Sequence, residues 1–129
     1  MDPVVHFELP SDDRERATEF YRSVFGWDIQ KTPFEDDVYT GVITSPVDAE
    51  YMHEERGAIN GAVIDRDETI TAPLVTIEVS SIDNYVSTIE NAGGTLVAPK
   101  GEVSETGYFA YFEDPEGNVI GLWEPMESE

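Results

Sequence analysis

FEDPEGNVIGLWE, residues 112–124, sets a strand, a tight turn and a second strand end to end. Pro115 and Gly117 suit the turn, since proline fixes one backbone angle and glycine frees another. On the strand that follows, alternation places Gly121 and Trp123 on one face and Leu122 and Glu124 on the other. Just upstream, Tyr108, Phe109, Tyr111 and Phe112 put aromatic rings on both faces of a strand at 108–113. Half of these rings should enter a core, leaving the other half to line a cavity or a subunit contact.

Working back from that hairpin, residues 74–79 alternate as a strand and Ser81 is a plausible helix cap. Ile82, Tyr85, Val86 and Ile89 then recur at helical spacing until Gly93 and Gly94, and a short strand follows at 95–98. The same order stands at the front of the chain. Residues 4–9 read as a strand with Val5, Phe7 and Leu9 on one face and Val4, His6 and Glu8 on the other. Ser11, Asp12 and Asp13 offer capping oxygens to a helix whose apolar positions are Ala17, Phe20, Tyr21, Val24 and Phe25. Gly26 closes it in the manner of a left-handed C-cap. Strands follow at 27–32, 38–44 and 59–65, the last two separated by a polar loop over 51–57.

A shift of 68 residues aligns His6 with Leu74, so the chain is a duplicated β-α-β-β-β unit. Two copies are too few for a solenoid. The expectation is an α+β fold in which two modules, about 3–66 and about 73–125, pair their sheets into one open, curled mixed sheet with the helices outside. Residues 67–73 are the expected linker.

At 129 residues, one compact domain is expected. Acidic residues number 28 against 7 basic ones, a net charge of -21, which argues against nucleic acid or anionic membranes as partners. With 40% hydrophobic residues the acids belong to a folded surface rather than a disordered tail, and a surface so acidic and lysine-poor fits a halophilic origin. The runs 12–16 and 124–129 are read as solvated faces. No cysteine is present, and no stretch has signal or membrane-spanning character, so a cytoplasmic protein is the expectation.

Three segments, HFELPSDDRERATEFYRSVFGW, VTIEVSSIDNYVSTIENAGG and YFAYFEDPEGNVIGLWE, together resemble the vicinal oxygen chelate superfamily, which includes glyoxalases, extradiol dioxygenases and bleomycin-resistance-like proteins, and most of all its small single-domain glyoxalase-like members. The resemblance covers essentially the whole chain. It implies paired β-α-β-β-β modules, commonly a homodimer, and a divalent metal held by side chains of the first, fourth, fifth and eighth strands.

Carried over by position, the first-strand ligand is His6. The fifth-strand position is Leu74 and the eighth-strand position, commonly Glu, is Gly121; neither can coordinate. The fourth falls near 60–63, an apolar run. A divalent metal is thus admitted by the resemblance but disfavoured by the residues present, with His6 the one matching ligand position.

His6, Glu8 and Glu78 could supply one imidazole and two carboxylates. A metal-free hydrogen-bonded His–Glu group is favoured over that arrangement. His6 and Glu8 are the candidate catalytic pair, a neighbouring carboxylate being expected to raise the imidazole pKa and fix its tautomer. Thr76, Glu78, Gly121 and Trp123 are the candidate ligand-binding residues, the missing side chain at Gly121 being expected to open space beneath the Trp123 indole. His53, set among Glu50, Glu54 and Glu55, reads as solvated surface.

Three functions follow. One is a lyase or isomerase of glyoxalase type acting on a small molecule. Glutathione is a poor substrate for it, because its carboxylates want basic partners. Another is a metal-free binding module that sequesters a neutral or cationic ligand as a dimer. The third is a subunit whose cup serves association.

Overall fold

The computed structural model describes residues 1–34, 37–48, 57–103 and 106–126. The loop containing His53, the other part of 51–56 and the last three residues of the acidic tail lie outside the described residues. The fold is α+β, with two compact units that each contain one helix and a mixed four-stranded sheet.

The unit His6–Pro73 holds most of β1 (Val4–Ser11), then α1 (Arg14–Phe25), β2 (Asp28–Phe34), β3 (Asp37–Ile43) and β4 (Asn60–Asp65). The strand order is β2-β3-β4-β1, with β1 and β4 parallel and the other pairs antiparallel. Of the candidate caps, Asp13 is the one used; its carboxylate accepts the Arg16 N–H at 3.1 Å. Gly26 ends α1 at φ 70°, in the left-handed conformation expected of it. One sheet face packs on α1 through Ile29, Val42 and Val63, joined by Phe7, Ala17, Tyr21 and Trp27.

Trp27 lies parallel to Tyr21, with ring centroids 5.0 Å apart. The helical face expected to be apolar is only half used, because Phe20, Val24 and Phe25 remain more than half exposed. The run 12–16 is exposed except at Arg14, which bridges Asp37 at 2.9 Å and Asp65 at 3.0 Å and ties the helix to β3 and β4.

The second unit comprises Met1–Val5 and Leu74–Glu129. Its elements are β5 (Leu74–Glu78), α2 (Ile82–Asn91), β6 (Thr95–Val103), β7 (Gly107–Glu113) and β8 (Val119–Pro125), in strand order β5-β8-β7-β6. The first residues join this unit rather than the first module: the Glu78 N–H donates to Pro3 O at 2.9 Å, and the Tyr85 hydroxyl to Asp2 at 2.7 Å. Residues 67–73, expected as a linker, belong to the first unit and bury Ile70.

The core of this unit is Val79, Ile82, Ala110 and Leu122, with Tyr108 and Phe112 packed against it from β7. Fully burying a side chain such as Ile82 stabilises by about 1.5–3 kcal/mol. Glu124 also departs from the solvated face expected of it. Its carboxylate accepts the Ile82 N–H at 2.7 Å and so completes the first turn of α2 alongside the Ser81 cap.

Between β7 and β8 the turn is organised by Asp114 as much as by Pro115 and Gly117. The Asp114 carboxylate accepts N–H groups of Glu116 and Asn118 and the Asn118 side-chain amide, and these bonds, Asn118's first, hold its pKa below the ordinary value. Among the described residues, no helix is long and apolar enough to cross a membrane.

Candidate functional site

Strand register divides each sheet into a helix-covered face and a helix-free face, and the candidate residues all lie on the latter. In the first unit, His6 pairs with Asn60 and Glu8 with Ala62, while Gly41 pairs with both Ala62 and Gln30. Paired residues share a face, so one row runs Glu8, Ala62, Gly41, Gln30 across the four strands. Phe7 and Val63, one residue out of step, point to α1 instead.

His6 is half-buried, and burial lowers its pKa from the ordinary 6.5. The elevation expected from a neighbouring carboxylate is therefore corrected in direction: removal from water dominates, and the imidazole is neutral at neutral pH. Glu8 is 8% exposed. Its charge acts on Tyr39 of β3, whose phenol pKa is raised, first by burial of the phenol and second by Glu8, although the residue as a whole is 44% exposed. The Tyr39 ring lies against Gly41, so close that a Cβ there would meet Tyr39 Cε1 at 3.2 Å. Asn60, beside His6, has its side-chain oxygen occupied by the Thr44 N–H at 3.2 Å.

In the second unit, Thr76 pairs with Gly121 and Glu78 with Trp123. On β7, Tyr111 pairs with Gly121 and Phe109 with Trp123. Thus Phe109, Tyr111 and Trp123 share the helix-free face, while Tyr108 and Phe112 enter the core. This divides the aromatic strand in half, as its alternation implied.

The space expected beneath Trp123 at Gly121 is already filled. A Cβ on Gly121 would lie 2.7 Å from Thr76 Oγ1, so the Thr76 side chain occupies the place of the missing one. The indole instead covers Gly107, its outer ring 2.8 Å from where a Cβ would stand, and the Phe109 ring covers Gly101 in the same way at 2.9 Å. Each ring is thereby laid along the sheet over a glycine of a neighbouring strand. Thr76 is 6% exposed, and among the described residues its hydroxyl has no hydrogen-bond partner.

The four-ligand metal site implied by the resemblance does not fit these residues. Leu74 is buried and apolar, the Gly121 position is closed by Thr76, and Asn60 is engaged by the backbone. Among the described residues, no three His, Asp, Glu or Cys side chains are grouped to hold a metal ion.

Of the groups now in view, Tyr39 escaped the sequence reading. Its signal was the two-residue spacing Tyr39–Gly41, a ring followed by a glycine on the same strand face. A cleft of about 500 Å³ opens on the helix side of the first unit, lined by Ser11, Arg16, Phe20, Tyr21 and Arg66 among others. None of the candidate residues lines it.

Two helix-backed β-α-β-β-β units in succession define a fold shared with solved structures over nearly all of this chain. One is the methylmalonyl-CoA epimerase of Mycobacterium tuberculosis (TM-score 0.65, 17% identity, 96% of this chain and 88% of that one). Another is a Streptomyces coelicolor methylmalonyl-CoA epimerase variant in complex with 2-nitronate-propionyl-CoA (TM-score 0.65, 14% identity, 96% and 97%). A third is the hypothetical protein BH1468 of Bacillus halodurans (TM-score 0.67, 10% identity, 99% and 97%).

Residues 4–45 match a family model described as bleomycin resistance protein-like N-terminal. In sequence the chain is similar to a proposed glyoxylase, CFP32, of Mycobacterium bovis and Mycobacterium tuberculosis, 26% identical over 122 residues in each. The match takes in 91% of this chain but 43% of the relatives, so the chain spans less than half their length. The family model, the sequence relatives and the shared fold all indicate the vicinal oxygen chelate superfamily, of glyoxalases and bleomycin resistance proteins, as what this chain is similar to.

Proposed function

We propose that the helix-free face of the first unit binds a small neutral or cationic carbonyl compound and moves a proton on it without a metal, as an isomerase or lyase. The observation that carries this reading is His6, a half-buried imidazole kept neutral by burial, two residues from the buried carboxylate of Glu8 on the same strand face. A neutral imidazole can accept a proton near pH 7, which is what a general base requires. The similarity in fold to epimerases is consistent with proton transfer beside a carbonyl. A coenzyme A thioester is a poor fit, because its phosphates need cations. Here Arg14, Lys31, Arg66 and Lys100 already face carboxylates.

Solvent deuterium exchange into hydroxyacetone and dihydroxyacetone, followed by proton NMR, tests the reading. Exchange above the buffer rate that vanishes in His6→Ala supports it. A His6→Ala variant that is folded and exchanges like wild type removes His6 as the base.

A second reading is favoured by one feature, the row of Phe109, Tyr111 and Trp123, in which Phe109 and Trp123 lie over glycines and Tyr111 meets Phe109 edge to face. Aromatic faces without proton-transfer groups suit sequestration of a flat or cationic ligand, with Thr76 and Glu78 as its polar contacts and a homodimer as the working form. Quenching of Trp123 fluorescence by aromatic cations, unaffected by His6→Ala, would favour this reading over catalysis.

A further inference from the structure

The row that starts at Glu8 is nearly bare. Ala62 and Gly41 follow it on β4 and β3, and between them they carry one methyl group. A tyrosine two residues from Gly41 could stand clear of the sheet, but Tyr39 instead lies back over the glycine. The ring fits because Gly41 has no side chain, and the burial of Ala62 at 1% exposure keeps the next place in the row low. The phenol is thereby carried along the row within electrostatic reach of Glu8, on the face that also bears His6. Burial and the Glu8 charge both resist its ionisation, so at neutral pH it stays protonated and can donate a hydrogen bond.

We propose that Tyr39 is a catalytic residue that does the work of an electrophile on this face, its O–H donating to the carbonyl oxygen of a substrate whose α-carbon gives up a proton to His6. The proposal rests on the proton-transfer reading and names its substrate class, an aldehyde or ketone with an ionisable α C–H bond. In the step, that C–H bond breaks and the proton goes to an imidazole nitrogen of His6. The bonding pair forms the C=C bond of an enolate while the carbonyl π pair moves to oxygen, where the Tyr39 O–H holds the charge. Return of the proton to carbon, at the same or the adjoining position, restores His6. No oxidant or reductant enters. A neutral donor placed where charge develops is the arrangement that stabilises an oxyanion.

The test compares wild type, Tyr39→Phe, Gly41→Val and His6→Ala in deuterium exchange of hydroxyacetone, with folding of each checked by thermal melting. Tyr39→Phe is expected to lose about 10²-fold in rate or more, the scale of deleting one oxyanion donor. Gly41→Val, which pushes the ring off its seat, should share that loss while keeping the phenol. A folded Tyr39→Phe that exchanges at the wild-type rate while His6→Ala does not overturns the role of Tyr39 and leaves the base reading standing. No wild-type exchange, or exchange unchanged in both variants, sinks the base reading and this proposal together.

A readout independent of turnover is the titration of Tyr39 followed by ¹³Cζ-tyrosine NMR. Glu8→Gln should move its midpoint down, and an unmoved midpoint would mean that the phenol does not sense Glu8, which also overturns the arrangement.

Discussion

Gly121 and Thr76 can be tested as a pair, because the structure assigns one volume to both. The Gly121 backbone is not in the left-handed region, so replacing it by alanine meets only a steric obstacle. The new Cβ would stand 2.7 Å from Thr76 Oγ1, well inside contact distance, in a strand pair that buries both residues. Overpacking of this kind costs about 1–3 kcal/mol. The loss of unfolded-chain freedom on going from glycine to alanine returns about 0.4–1 kcal/mol. A net destabilisation of about 1–2 kcal/mol is expected for Gly121→Ala.

Thr76→Ala removes the obstructing oxygen, which has no partner among the described residues, so its deletion leaves no donor or acceptor stranded. What remains is the Thr76 Cβ at 3.4 Å, a contact the strands can absorb. The double variant should therefore be no more than about 0.5 kcal/mol less stable than Thr76→Ala alone, a non-additivity of about 1 kcal/mol or more. Urea denaturation of wild type, both singles and the double measures this cycle. Strict additivity, or a Gly121→Ala protein as stable as wild type, would refute the claim that Thr76 fills the place of the missing side chain.

Other outcomes follow from the same structure. Asp13→Ala removes the α1 cap and should cost about 1 kcal/mol, seen as a lower urea midpoint with an unchanged slope. Because burial lowers the His6 pKa, the unfolded chain binds a proton near pH 6.5 that the folded chain refuses, so stability should fall as pH drops through that value; His6→Gln should flatten this dependence in urea midpoints between pH 7.5 and 5.5. The charge of -21 implies self-repulsion, so thermal melting should rise as salt goes from about 0.1 M to about 1 M, where the screening length shrinks from about 10 Å to about 3 Å. A melting temperature that falls over this range would contradict the assignment of that charge to the folded surface.

The duplicated element order was legible in sequence because each copy carries its own punctuation. Asp13 and Gly26 bracket one helix, while Ser81 and Gly93 bracket the other, and all four act locally. Face assignment was legible for the same reason: alternation alone put His6 with Glu8 and Thr76 with Glu78. Cross-strand occupancy was not. Whether Gly121 leaves a hole depends on Thr76, 45 residues away in sequence, and the glycine that Trp123 covers, Gly107, lies on the neighbouring strand β7. The sign of the His6 shift was missed likewise, because burial is a property of the assembled fold, whereas a nearby carboxylate can be counted along one strand. Glu124 shows the reverse case, a residue in an acidic run whose position near the end of β8 turns it into a helix cap.

The chain has two tryptophans, and the fold gives one to each unit: Trp27 lies parallel to Tyr21 in the first, and Trp123 covers Gly107 in the second. Their optical environments differ, one against a phenol ring and the other over bare backbone. Trp27→Phe and Trp123→Phe therefore make two single-reporter proteins from one chain. Coincident fluorescence and circular-dichroism transitions in both would mean that the halves of this duplicated sequence melt as one cooperative body. A gap between the two would time the loss of each half separately, and would tell which ancestral copy still holds its structure when the other has gone.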